Sequence, residues 1–152
     1  MHPPDPAIPR APAHETTVRV RYAETDQMGV VYHANYFIWM ELGRVEYCRA
    51  AGMRYRDMER EDGILLAVVE AECRYRRPAR YDDEITVRTA VARANRRTVE
   101  FSYQLLLDAE VIASGRTRHL FLDKDLRPSS LPARYYALFG IGGAPASFRT
   151  EP

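Results

Sequence analysis

Tyr22-Ala-Glu-Thr-Asp-Gln-Met-Gly-Val-Val-Tyr-His-Ala-Asn-Tyr36 is the stretch that decides how the rest of the chain is read. It runs from the end of an expected strand into the start of an expected long helix. It carries a carboxylate at Asp26, a turn glycine at Gly29 and a histidine at His33, just before the helix. The first amides of a helix lack intrahelical acceptors and sit at the positive end of its dipole. A loop of this kind can therefore hold a carbonyl between an acid and a cluster of N–H donors. The carbonyl is polarised on one side and open to a base or nucleophile on the other.

Downstream, Asn35 to Ala51 reads as a helix, with Asn35 as its N-cap and Gly52 as its C-terminal stop. Tyr36, Phe37, Ile38, Trp39, Met40, Leu42, Val45, Tyr47 and Cys48 cover nearly every direction of its wheel. Such a helix is expected to be enclosed by the rest of the protein or by a second subunit. Glu41 with Arg44 and Glu46 with Arg49 have the spacing of ion pairs. Gly43, in mid-helix, costs about 1 kcal/mol relative to alanine, and close approach to another backbone would compensate.

Upstream, Thr16 to Tyr22 alternates, with Val18, Val20 and Tyr22 on the apolar side. After a polar segment at Met53–Asp62 come four strand-like runs. The first sets Leu65, Ala67, Val69, Ala71, Cys73 and Tyr75 against Glu70, Glu72, Arg74 and Arg76, and Pro78 closes it. Runs at Ile85–Val91, Val99–Leu107 and Val111–Asp123 follow, the last two joined tightly at Asp108-Ala109. Pro132–Phe139 is a short closing helix. Short connections favour antiparallel neighbours, and the helix is the one large apolar object able to cover a sheet face. The expected class is α+β: a curved antiparallel sheet wrapped around one long central helix. Open sheet edges point to a dimer with a shared sheet.

Size and charge set the bounds. With 152 residues, 46% of them hydrophobic, the chain can bury one sizeable core. The expected organisation is a proline-rich tail over residues 1–14, one domain over 15–139 and a second tail over 140–152. A net charge of +1 gives no reason to expect nucleic acid or membrane insertion. Cys48 and Cys73 read as reduced, buried thiols of a cytoplasmic protein, without a signal peptide. His2, His14, His33 and His119 lack metal-ligand spacing, so no metal and no other cofactor is expected.

The segment from Asp26 to Tyr36, together with Tyr75-Arg-Arg-Pro-Ala-Arg-Tyr-Asp-Asp83, resembles the hotdog-fold acyl-CoA thioesterases. The nearest branch is the 4-hydroxybenzoyl-CoA thioesterase-like group, which includes Tol–Pal-associated enzymes. The resemblance spans about Val18 to Asp125. It implies hydrolysis of an acyl-CoA thioester without metal, in a homodimer or homotetramer with active sites at a subunit interface. It implies that Asp26 is the catalytic carboxylate, that Gly29 shapes the turn, and that the backbone N–H of His33 polarises the thioester carbonyl.

Each residue also has a plainer reading. Asp26 could merely cap its turn, and His33 merely the helix. Glu24 reads as a solvated loop acid. Tyr32, Asn35 and Tyr36 beside the loop are candidate substrate contacts, although Tyr36 could simply fill the core. The cluster Arg74, Arg76, Arg77 and Arg80, with Arg96, Arg97, Arg116 and Arg118 elsewhere, supplies candidates for the CoA phosphates, Arg74, Arg76, Arg97 and Arg116 first among them, since guanidinium forks suit phosphate oxygens. The alternative for these arginines is a solvated sheet face. Other functions compatible with the sequence are a hotdog acyl-thioester dehydratase, with His33 as base, and a non-catalytic acyl-CoA-binding module.

Overall fold

A computed structural model of the chain describes residues 12–143 and 148. Five antiparallel strands form one sheet in the order β1-β3-β4-β5-β2: β1 (Ala13–Arg19), β2 (Leu65–Tyr75), β3 (Glu84–Ala94), β4 (Thr98–Leu107) and β5 (Glu110–Leu122). One 16-residue helix, α1 (Asn35–Ala50), packs on this sheet, chiefly against β1 and β3. Short helical segments occupy Tyr22–Glu24, Tyr55–Asp62 and Ala133–Phe139.

The inner sheet face is the core. Ile85, Val87, Thr89 and Val91 of β3 alternate inward, as do Val99, Phe101, Tyr103 and Leu105 of β4. Helix α1 lays Tyr36, Trp39, Met40, Tyr47 and Cys48 on this face. Gly43 explains the close approach: a Cβ there would lie 2.4 Å from Thr89 Oγ1 and 2.7 Å from Val87 Cγ1. The neighbours are side chains of β3, where the sequence suggested backbone. The opposite face is polar and laced with charge pairs. Arg88 pairs with Glu15 on β1, and Arg116 with Glu72 on β2 and Glu100 on β4.

Several expectations change. The first strand begins at Ala13, so Ala13 and His14, read as tail, pair with Ala90 and Thr89 of β3. That strand also ends earlier, and Tyr22 is exposed in a 3-10 turn. Only β3, β4 and β5 form a meander, while β2 crosses to the far edge beside β5. The even alternation read along β2 fails because a bulge intervenes between Val68 and Glu70. One extra residue inverts the side-chain parity. Leu66 and Val68 thus stand opposite Phe121 and His119, while Ala71, Cys73 and Tyr75 stand opposite Thr117, Gly115 and Ala113. The tight turn at Asp108-Ala109 is present, with both residues at positive φ as a two-residue hairpin turn requires. Helix α1 is not enclosed by this chain alone, since Ile38 and Leu42 remain exposed. Of its two expected ion pairs, Glu46–Arg49 forms. The Arg44 charge instead acts on the buried Tyr103 and His119.

Candidate active site

The acid-bearing loop is pinched off by a bridge between Thr25 and Val31. Within it the Asp26 N–H donates to the Val30 carbonyl and the Gly29 N–H donates to the Asp26 carbonyl, both at 2.9 Å. Gly29 sits at φ +78, the left-handed region a Cβ disfavours. The Asp26 carboxylate accepts the Met28 N–H on Oδ1 at 2.9 Å, an Asx turn. Its Oδ2 has no hydrogen-bond partner among the described residues. The side chain therefore caps its own turn and keeps one oxygen for other work.

Helix α1 begins just beyond. The Asn35, Tyr36 and Phe37 amides donate to the carbonyls of Tyr32, His33 and Ala34. The preceding two amides, of His33 and Ala34, have no acceptor among the described residues. They are adjacent donors at the positive end of the helix, the arrangement that stabilises a developing oxyanion. The His33 imidazole is exposed, with its ring 4.5 Å from that of Tyr32. The N-cap position belongs to Ala34, not Asn35. Asn35 instead turns its Nδ2 to the Glu24 carbonyl at 2.8 Å, because that buried oxygen also needs a donor.

Glu24 is the residue that sequence reasoning misplaced. Read as a solvated acid, it is 5% exposed. Its Oε2 accepts the Trp39 indole N–H at 2.9 Å and its Oε1 the Arg21 amide at 2.8 Å. Its carbonyl accepts the Tyr32 amide as well as Asn35. Burial on its own would raise the pKa of this carboxyl, but the hydrogen bonds from Arg21 and Trp39 win and hold it below the ordinary range. Glu24 thus ties the loop to the second turn of α1. The signal available in sequence was a lone tryptophan fifteen residues on, whose N–H must find an acceptor once buried.

The connection after β2 forms the other wall. The Val31 N–H donates to the Ala79 carbonyl at 2.8 Å. Arg80 Nη1 lies 4.0 Å from where a Gly29 Cβ would stand, so Arg80 is the one of the arginine cluster beside the turn. Tyr75, at the end of β2, donates its hydroxyl to the His33 carbonyl at 2.8 Å. Of the other candidates, Tyr32 is exposed beside His33, and Tyr36 is buried against Trp39 and Tyr75. Arg74 is exposed on β2. The Arg76 amide donates to the Ile112 carbonyl. Arg97 lies in the β3–β4 turn, and Arg116 is held by Glu72 and Glu100 on the polar face. Arg97 and Arg116 therefore stand apart from Arg74 and Arg76, which flank Tyr75. Burial pushes the thiols of Cys48 and Cys73 up to about 12 and about 11, so both stay protonated at neutral pH.

The molecule is thus an α+β protein, a helix packed on an antiparallel sheet, with a half-free carboxylate in the loop before the helix and two unspent amides at its start. Residues 20–139 match the model of the thioesterase-like superfamily, and the chain belongs to that superfamily. It is 38% identical to YneP of Bacillus subtilis (strain 168), to which acyl-CoA thioesterase activity is provisionally ascribed, over 71% of this chain and 78% of that one. It is 30% identical to the acyl-CoA thioester hydrolase YbgC of Escherichia coli O6:H1, over 80% of this chain and 92% of the relative. Among solved structures, the DHNA-CoA thioesterase from Staphylococcus aureus is similar at a TM-score of 0.77 and 32% identity, covering 82% of this chain and 83% of that one.

Proposed function

We infer that this chain is an acyl-CoA thioesterase, hydrolysing an acyl-CoA to a free acid and CoA. The observation that carries the reading is the pair of unspent amides at His33 and Ala34, following a loop whose Asp26 keeps Oδ2 free. The thioester carbonyl oxygen accepts from this pair, and its carbon becomes electrophilic. Asp26 then acts in one of two ways. As general base it takes a proton from water, whose oxygen attacks the carbonyl carbon. As nucleophile it attacks through Oδ2, and water hydrolyses the resulting anhydride. In both cases the C–S bond breaks and the CoA thiolate leaves to be protonated.

The test is thiol release from a panel of aromatic, short and long acyl-CoAs. Wild-type chain should turn over at least one class. Asp26→Asn, folded by circular dichroism, should lose about 100-fold or more in turnover, the usual worth of a positioned acid–base group. Near-normal hydrolysis by that variant would remove Asp26 from the mechanism.

The same reading carries finer elements. The fold is a hotdog fold, with α1 as the central helix inside a curved sheet. The assembly is a homodimer or dimer of dimers, supported by the open edge of β2 and by exposed Ile38 and Leu42 on α1. Arg80, with Arg74 and Arg76 from the same segment, meets the CoA phosphates. The free thiols of Cys48 and Cys73 fit a cytoplasmic setting, and no helix among the described residues is long and apolar enough to cross a membrane.

A further inference from the structure

We propose that Tyr75 is a positioning residue of the thioester site, its hydroxyl fixing and polarising the His33–Ala34 peptide. This rests on the reading of the His33 and Ala34 amides as the carbonyl's donors. The carbonyl of His33 and the N–H of Ala34 belong to one peptide group. That carbonyl receives the Tyr75 hydroxyl at 2.8 Å. Among the described residues its one other donor is the Tyr36 amide at 3.4 Å, at the weak end of the hydrogen-bond range. Without the phenol the peptide plane is held by that single long bond and is free to tilt. A tilt of the plane swings the Ala34 N–H away from the substrate oxygen.

The bond also acts electronically. A peptide whose carbonyl accepts a hydrogen bond gives a more polarised N–H, by about 10–30% per bond in condensed phase. The Ala34 amide is therefore a better donor while Tyr75 is in place. The phenol is itself held: the Tyr36 ring meets it edge-on at 5.0 Å and the His33 ring at 6.4 Å. Cys73, two residues earlier on the same face of β2, lies beside it. Because β2 is an edge strand far from α1 in sequence, this contact ties the sheet's edge to the helix start.

Tyr75 is 45% exposed, so Tyr75→Phe deletes one hydroxyl, keeps the ring and opens no buried cavity. In thiol-release assays on an acyl-CoA that the wild type hydrolyses, Tyr75→Phe should lower kcat about 10-fold, the scale of one hydrogen bond. KM should stay within about twofold, since the amides gain most on the developing oxyanion, and the melting temperature should fall by no more than about 4 °C, the scale of one half-exposed hydrogen bond. In 15N-labelled protein the Ala34 amide proton should shift upfield as the peptide is depolarised. Wild-type kcat in Tyr75→Phe, with a loss appearing only in Tyr75→Leu, would show that the ring matters and the hydroxyl does not, and would overturn the proposal. So would an unmoved Ala34 amide. Failure of the underlying reading looks different: wild-type chain would release no thiol from any acyl-CoA, or Asp26→Asn would match it, and the positioning role would fall with it.

Discussion

Asp26 and Glu24 stand two residues apart and have opposite fates, decided by what surrounds each. Asp26 is half-buried in a turn, spends one oxygen on the Met28 amide and keeps the other. Glu24 is buried and spends both on Trp39 and Arg21. Glu24→Ala would leave the indole N–H and the Arg21 amide without acceptors. That should cost about 2–3 kcal/mol, the range for losing hydrogen bonds to a buried charge, and is measured by urea unfolding. Glu24→Gln keeps the shape and should cost less. His33 makes its expected contribution through the backbone, so His33→Ala should lower turnover about threefold at most, far less than Asp26→Asn. A loss as large as that of Asp26→Asn would assign the imidazole a chemical role. The Asp26 loop and Gly29 were legible as a motif. The burial of Glu24 was not, because its partner Trp39 lies on another element and only packing brings them together.

Elements meet most tightly at two glycines. Gly43 on α1 lets the helix rest on Val87 and Thr89 of β3. Gly115 on β5 leaves room for Met40, and a Cβ there would fall 2.3 Å from Met40 Cε and 2.7 Å from the Glu72 carbonyl oxygen. A methionine tip can move, but a backbone carbonyl in a strand pair cannot. Gly115→Ala should therefore destabilise by about 1–3 kcal/mol. Gly43→Ala should cost less, since the gain in helix propensity of about 1 kcal/mol offsets part of the clash. Thermal melts of the two variants check the order. Helix and strand identities were readable from periodicity, yet the position of β2 was not. Its two faces are nearly equally apolar at the start, and the bulge at Val68–Glu70 resets the parity that alternation assumes.

At the scale of the molecule, one buried histidine contributes an acid-sensitive part of the stability. His119 is 0% exposed, with Nε2 2.8 Å from Thr117 Oγ1 and its ring edge-on to Phe101 at 5.6 Å. Burial first, and then the Arg44 charge, lower its pKa from 6.5 to about 3. The unfolded chain therefore binds a proton near pH 6.5 that the folded chain refuses, and stability falls as pH drops below 6.5. The slope from this one group approaches about 1.4 kcal/mol per pH unit. Melting temperature should fall between pH 7.5 and pH 5, and His119→Gln should flatten the fall. Glu24, held below the usual carboxylate range, adds to the loss only at lower pH. Sedimentation should show a species larger than one chain, and charges placed on the open β2 edge, as in Val69→Lys, should shift it toward the monomer. The sequence alone determined the α+β class, the helix, the strand segments and the acid–glycine–histidine loop, because local periodicity and turn chemistry are written in neighbouring residues. Only the tertiary structure decided which amides at the helix start go unspent, that Glu24 is a buried anchor and that Tyr75 reaches His33. Those depend on contacts between residues 15 to 42 positions apart, and a hydrogen bond is made or left open by what packing places within 3 Å.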